Sequence, residues 1–332
     1  MKKIGRQTVA FTHPPVIYTA AAVAGKKEAQ GPLGRAFDYV QEKGEGSWEQ
    51  QESALTARAA RMALEKASTA PEEVDYLFGG DLLNQCAGTV FGIRDLPIPF
   101  FGLFGACATF GEAMSLGAMM IDGGYARQTL CLAGSHFCSA EKQFRFPLGM
   151  GTQRPPTTTW TVTGCGAVLL RNEGPGPRIT HVTTGMVVDY GVRDAAHMGA
   201  AMAPAAAQAI SAHLRETGRN LTDYTWIVTG DLGEVGRSLV CRLLEEEGFY
   251  PDSRLTDCGL LLFDNHAQDT HSGGSGCACS AITYGAYFHP RLQTGGHRLL
   301  LVPTGALMNL TVSQQGESIP GIAYAVAIEG GM

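Results

Sequence analysis

Residues 108–122 read as a helix that is nearly all small and apolar, and this constrains the fold more than any other segment. Ala113, Met114, Leu116, Gly117, Ala118, Met119, Met120 and Ile121 leave it almost no polar face, and Gly123-Gly124 stops it. A helix apolar on most sides has to be covered on most sides. Upstream, Pro97 and Pro99 lead into Phe104-Gly105-Ala106-Cys107-Ala108-Thr109-Phe110-Gly111-Glu112-Ala113. This passage reads as a strand-to-helix elbow with Cys107 at its tip. At such a tip the unpaired N–H groups and the helix dipole favour a thiolate. The same geometry receives carboxylates. Cys107 is therefore a candidate nucleophile or a candidate part of a binding site.

The rest of the chain supports a large layered core. Only 17% of residues are charged and 45% are hydrophobic, over 332 residues, enough for roughly two structural units. The 43 glycines are dispersed, as many tight turns require. A net charge of −6 gives no electrostatic case for nucleic acid or for a polybasic membrane contact. Nine cysteines, an odd number without dense spacing, suggest a reducing compartment. The Lys2-Lys3 start has no apolar stretch behind it, so no signal peptide is expected. The Ala-rich segment 195–210 carries a His and a Pro and is too short to span a membrane.

Strand and helix signals alternate. Residues 8–23 read as a first strand with its turn, 25–50 as a surface loop, and 53–67 as a helix with Leu55, Ala59, Met62 and Ala63 at helical spacing. Strands are expected at 75–78, 129–133 and within 159–170. The run Asn172-Glu173-Gly174-Pro175-Gly176-Pro177 reads as a boundary. After it come strands at 179–188 and 226–228, helices at 195–216 and 235–247, a second small-residue helix at 276–288, and closing strands at 299–303 and 322–328. The expected organisation is α/β, with units 1–174 and 175–332 as two similar halves.

Several of these segments resemble the thiolase-like superfamily, and within it the type III β-ketoacyl-acyl carrier protein synthases. They are the Gly-Ala-Cys-Ala elbow, Ile121-Asp122-Gly123-Gly124-Tyr125-Ala126, Thr129 to Ser135, Thr161 to Leu170, and Thr270-His271-Ser272-Gly273-Gly274-Ser275-Gly276. The resemblance covers most of the chain and implies a thiolase-like fold in αβαβα layers, typically a homodimer. More narrowly, the Lys-Lys-x-Gly-Arg-Gln-Thr start, the Phe100 to Glu112 run and the segment Ser135 to Arg145 resemble the sporulation branch of that superfamily in spore-forming bacteria. That branch implies a protein that binds dipicolinic acid during its uptake into the forespore, without a membrane span of its own. The partners it implies are dipicolinic acid and membrane proteins of the same sporulation operon. The implied location is the cytoplasm or forespore, peripheral to the spore inner membrane.

The candidate site follows from that resemblance and from the chemistry of the residues. A condensing enzyme needs an activated thiolate, a base or acid, and oxyanion donors. Cys107 supplies the thiol, and His271 stands where the family has its late His or Asn. The loop expected to carry the middle histidine reads Ile227-Val228-Thr229-Gly230-Asp231-Leu232-Gly233 and contains none. A degenerate site that binds rather than reacts is therefore expected. An acyltransferase using Cys107 and His271 is the alternative.

Dipicolinate is a small planar dianion. Its expected contacts are the N–H groups of Cys107 and Ala108, a Gly273–Gly276 nest with Gly273 and Gly274, and a hydrogen bond from His271. No cofactor is expected. Calcium would arrive only as part of a calcium-dipicolinate ligand, with Asp81 as the candidate carboxylate for it. Arg145 and Arg154 are candidates to meet a carboxylate that the sequence does not place. His136, His266, Cys277 and Cys279 read as structural.

Overall fold

The computed structural model describes residues 2–145 and 154–331. Its strands in the first half are β1 (Thr8–Ala10), β2 (Val16–Gly25), β3 (Tyr39–Gln41), β4 (Tyr76–Gly80), β5 (Phe100–Gly102), β6 (Gln128–Ser135) and β7 (Gly164–Arg171). The second half has β8 (Arg178–Thr183), β9 (Trp226–Thr229), β10 (Leu255–Asp257), β11 (Arg298–Val302) and β12 (Ala325–Glu329). The path through the sheet is β10-β9-β11-β12-β8-β2-β7-β6-β4-β5. Counting only the five strands that each half contributes to this path, which leaves out β1 and β3, each half orders them third, second, fourth, fifth, first. The parallel and antiparallel pairings also match between halves. The first strands meet in the middle, where Val16 of β2 is opposite Arg178 of β8.

Side-chain alternation along these strands sorts the core into layers. On β6 and β7, Leu130, Leu132, Ala167 and Leu169 face outward onto the helix Trp48–Lys66. Their neighbours Cys131, Ala133, Val168 and Leu170 face inward. On β9, β11 and β12, Ile227, Leu300, Ala325 and Ala327 face the helix Met198–Thr217, whereas Val228, Leu299, Leu301, Val326 and Ile328 face the same interior as Cys131 and Val168. That interior is filled by the helix Thr109–Asp122 and by Cys277–Thr283 with its π-helical continuation Tyr284–Phe288. The result is α, β, α, β, α, in the expected order.

The nearly all-apolar helix is the middle layer, and its small residues set the spacing. A Cβ on Gly111 would come within 3.1 Å of Pro303 and Tyr324 in the second half. One on Gly117 would come within 2.7 Å of the Cys131 thiol in the first. Phe110 meets Tyr284 across the two central helices, with ring centroids 6.1 Å apart.

The structure corrects several expected elements. Residues 8–23 are two strands, because Pro14 and Pro15 break the run. The expected loop 25–50 contains helix Lys26–Ala29 and strand β3, which pairs with β2. The first long helix starts at Trp48, where Ser47 and Gln50 form a reciprocal capping box that the 3.6-residue pattern alone did not reveal. The closing strand expected at 322–328 is two strands, Gly321–Ala323 and β12, and the first of them pairs with Thr304–Ala306.

The central helix Cys277–Thr283 packs close against β7 at Gly166, where a Cβ would lie 2.4 Å from the Ala281 carbonyl carbon. Gly166→Ala is expected to reduce the free energy of unfolding by about 1–3 kcal/mol. A lowered midpoint in chemical denaturation would show it; an unchanged midpoint would mean that the helix shifts at no cost.

Candidate active site

The elbow is held in strain. Ala106 adopts φ +48°, a left-handed backbone that costs a non-glycine residue roughly 1–2 kcal/mol. Its carbonyl is fixed from two sides, accepting from the Thr109 hydroxyl at 2.7 Å and from the Cys277 thiol at 2.9 Å. Cys107 follows in a short 3-10 turn, Ala106–Ala108, and is half-buried. The strand Thr304–Ala306 lies over this turn, where a Cβ on Gly305 would come 2.2 Å from the Gly105 carbonyl oxygen.

The thiol faces a carboxyl. Asp231 is buried, accepts from the Thr304 hydroxyl at 2.5 Å and from the Gly276 N–H at 3.3 Å, and lines the same cavity as Cys107. Burial above all raises its pKa, to about 7. Asp231 is aimed by a second buried acid. Asp257 accepts from the Thr229 hydroxyl at 2.6 Å and from the N–H groups of Leu232, Gly233 and Gly259 at 2.8, 3.1 and 2.9 Å. This pins both sides of the loop that carries Asp231.

Burial, followed by the charge of Asp231, drives the Cys107 pKa well above the ordinary thiol value. The expectation that helix N–H groups favour a thiolate is therefore corrected. The first turn after the strand is 3-10, the Ala108 N–H is already donated to the Gly105 carbonyl at 3.0 Å, and the charge of Asp231 acts against the thiolate.

Cys107 and Asp231 line a cavity of about 80 Å³ with Glu141, Arg145, Ser275 and Gly276 among its polar residues. Leu82, Phe144, Met198, Met202 and Met308 are among its apolar ones. The volume is well below the several hundred Å³ of a drug-sized site, so it suits a small molecule.

The other candidate residues take varied positions. His271 does not line the cavity; its Nε2 lies 3.1 Å from Asp269, which also binds Arg154 at 2.8 Å. The Gly273 N–H donates to the Thr270 carbonyl at 3.1 Å, and Gly274 is paired with Trp160 in a short parallel ladder. Gly276, with φ +97°, reaches the cavity in their place. Asp81, the candidate calcium contact, is fully buried. Its two oxygens accept from the N–H groups of Leu83 and Thr89 at 2.8 and 2.6 Å, and it is Leu82 that lines the cavity. His136 caps the helix Phe137–Phe144, and Cys277 and Cys279 are core residues. Among the described residues no group of three His, Cys, Asp or Glu is arranged to hold a metal ion.

The sequence profile of the stage V sporulation protein AD family matches residues 5–329. The stage V sporulation protein AD of Bacillus subtilis strain 168 is 41% identical over 99% of this chain and 98% of its own. The chain belongs to the stage V sporulation protein AD family. Solved structures of thiolase-like condensing enzymes share its fold. AbyA1, a tetronic acid condensing enzyme, has a TM-score of 0.60 at 19% identity, over 95% of this chain and 100% of its own. For Xanthomonas campestris OleA the figures are 0.62 and 14%, over 96% and 97%. For 3-oxoacyl-[acyl-carrier-protein] synthase III of Aquifex aeolicus they are 0.58 and 12%, over 95% and 99%. At these identities the likeness establishes the thiolase-like fold alone.

For this family member, reading the sequence missed Asp231 as a site residue. The loop 227–233 carries no imidazole, and the burial of its one acid is not visible in the residue pattern. Glu141 was missed too, although its i,i+4 spacing to Arg145 placed both on one helix face.

Two predictions follow from the Cys107–Asp231 contact. At pH 8, Cys107 should react with iodoacetamide more slowly than a free thiol, and Asp231→Asn should accelerate it, as quantified by peptide mass spectrometry. Equal rates in both proteins would show that Asp231 does not govern the thiol. The second concerns stability. The folded pKa of Asp231 is raised from 3.8 to about 7, so its contribution is fully present below about pH 4 and is lost as pH rises through about 7. Asp231→Asn should therefore gain stability relative to the parent between pH 5 and pH 8 in thermal melts. A constant difference across that range would refute the assignment.

Proposed function

We propose that this member of the family binds dipicolinic acid, alone or as its calcium complex, in the Cys107 cavity and does no chemistry on it. It thereby supports dipicolinate uptake into the forespore during sporulation, and its release in germination. The observation that carries this reading is the buried carboxyl of Asp231 that shares the cavity with the thiol. A nucleophilic cysteine needs a neighbour that takes its proton and stabilises the thiolate. Asp231 carries negative charge when ionised and opposes a thiolate. Losing one member of a catalytic set costs orders of magnitude in rate. The cavity, at about 80 Å³, has little room for a long acyl chain.

The protein is further proposed to act as a homodimer beside membrane proteins of the same operon, at the forespore side of the spore inner membrane. The edge strand β5 and the segment behind it expose Phe101 and Phe104, each 48% accessible, which supports an interface there. Among the described residues no helix is long and apolar enough to cross a membrane.

An acyltransferase is the second reading, favoured by one observation: the left-handed Ala106 presents Cys107 on a strained elbow. Calorimetric titration with dipicolinate, with and without calcium, and acyl-CoA incubation read by intact mass separate the two. The expected result is saturable binding, weakened in Cys107→Ala, with no acyl adduct. A stable adduct on Cys107 with turnover would overturn the binding function.

A further inference from the structure

We propose that Arg145 is the counter-ion that receives a carboxylate in the Cys107 cavity, and that Glu141 occupies it until the ligand's carboxylate takes its place. The inference rests on the binding function above and names the residue that selects the ligand's charge. Arg145 is the single cationic side chain among the described residues that line the cavity. The other charged lining residues, Glu141 and Asp231, are acids. An anion entering a space bordered by two carboxyls needs a cation, and among the described lining residues that cation is Arg145.

The geometry suits that role. Arg145 is the C-cap of the helix Phe137–Phe144, and its N–H donates to the Glu141 carbonyl at 2.8 Å. This fixes its backbone at a helix C-terminus, which favours a cation. One turn earlier, Glu141 faces the same cavity and lies 3.2 Å from the Arg145 Nη1. The two side chains are 23% and 9% exposed, so the pair is largely withdrawn from water. Burial raises the Glu141 pKa, against the pull of Arg145 and Arg154. A carboxylate held there is poorly solvated and readily replaced.

Exchanging it for a ligand carboxylate preserves the charge balance. It also presents the planar guanidinium fork to the group it fits best. Glu141, freed of the pair, is left to take up a proton or turn toward solvent. The cavity should then prefer small planar carboxylates to their neutral amides.

Carboxylate-directed alkylation tests this in the full-length protein. Iodoacetate and iodoacetamide both react by attack of the Cys107 thiolate on carbon with loss of iodide, but only the first carries a carboxylate. The rate ratio of the two at Cys107 is measured for the parent, Arg145→Gln, Arg145→Lys and Glu141→Gln, with circular dichroism as the check on folding. The ratio should fall about tenfold in Arg145→Gln, fall less in Arg145→Lys and rise in Glu141→Gln. Dipicolinate affinity should follow the same order.

An unchanged ratio in folded Arg145→Gln overturns the inference, as does equal dipicolinate affinity in the parent and Arg145→Gln with the binding function left standing. A ratio that depends on Arg145 in a protein that binds no dipicolinate upholds the inference and removes the binding function. If Cys107 resists both reagents, the titration decides. Failure of dipicolinate, picolinate and benzoate all to bind would then reject both.

Discussion

The close fit of one helix between two sheets is the constraint on which the rest of the structure depends. Thr109–Asp122 has neighbours on both sides, at Gly117 toward β6 and at Gly111 toward Pro303. Protein interiors are packed to crystal-like density, so a helix in this position tolerates little change in volume. Its start point is thereby fixed. The chain must turn from β5 into the middle layer within a few residues, and the left-handed Ala106 absorbs that turn. Cys107 stands at the interior end of the elbow because the helix behind it cannot move. The matching strand orders of the two halves bring Thr304 and Gly276, which follow β11 and precede the second central helix, to the same point.

Around that point the electrostatics are organised by acids. Asp257 is held by four donors and shapes the loop that presents Asp231. Asp231 in turn adds to burial in raising the proton affinity of Cys107. Buried carboxyls recur elsewhere in the fold: Glu28 and Glu52 are each 1% exposed and raised by burial to about 7 and about 8. Each burial is tolerated because neutralisation avoids the cost of an isolated charge in a dry interior. A site built this way holds protons well and generates a thiolate poorly. The fold is shared with condensing enzymes, whereas burial and the acid at its centre disfavour a thiolate.

Much of the fold was legible because the two signals that define it are local. The near-continuous apolar run of 108–122 can only be a covered helix, and the Gly-Ala-Cys-Ala elbow reads directly from its residue types. The capping box at Ser47, the Pro-broken first strand and the β3 pairing were not legible, because they depend on one or two residues against a weak pattern. The site was harder. His271 has the right place in the chain, but its left-handed backbone, φ +56°, accompanies a side chain turned to Asp269 rather than to Cys107. No spacing rule reports that rotation.

The amino-acid sequence alone determined the duplicated α/β plan and the position of Cys107 at an elbow, since periodicity and small-residue runs act over neighbouring residues, while the layer order was what its resemblance to the thiolase-like superfamily implied. Only the tertiary structure decided which groups share the cavity. Asp231 comes from a loop 124 residues beyond Cys107, and Gly276 lies farther still; both reach it because the sheets stack face to face. Arg145 reaches it from the end of a helix capped by His136. The proton affinity of the thiol and the charge of the pocket were settled by those long-range approaches, because burial and nearby charge depend on distance in space and not along the chain.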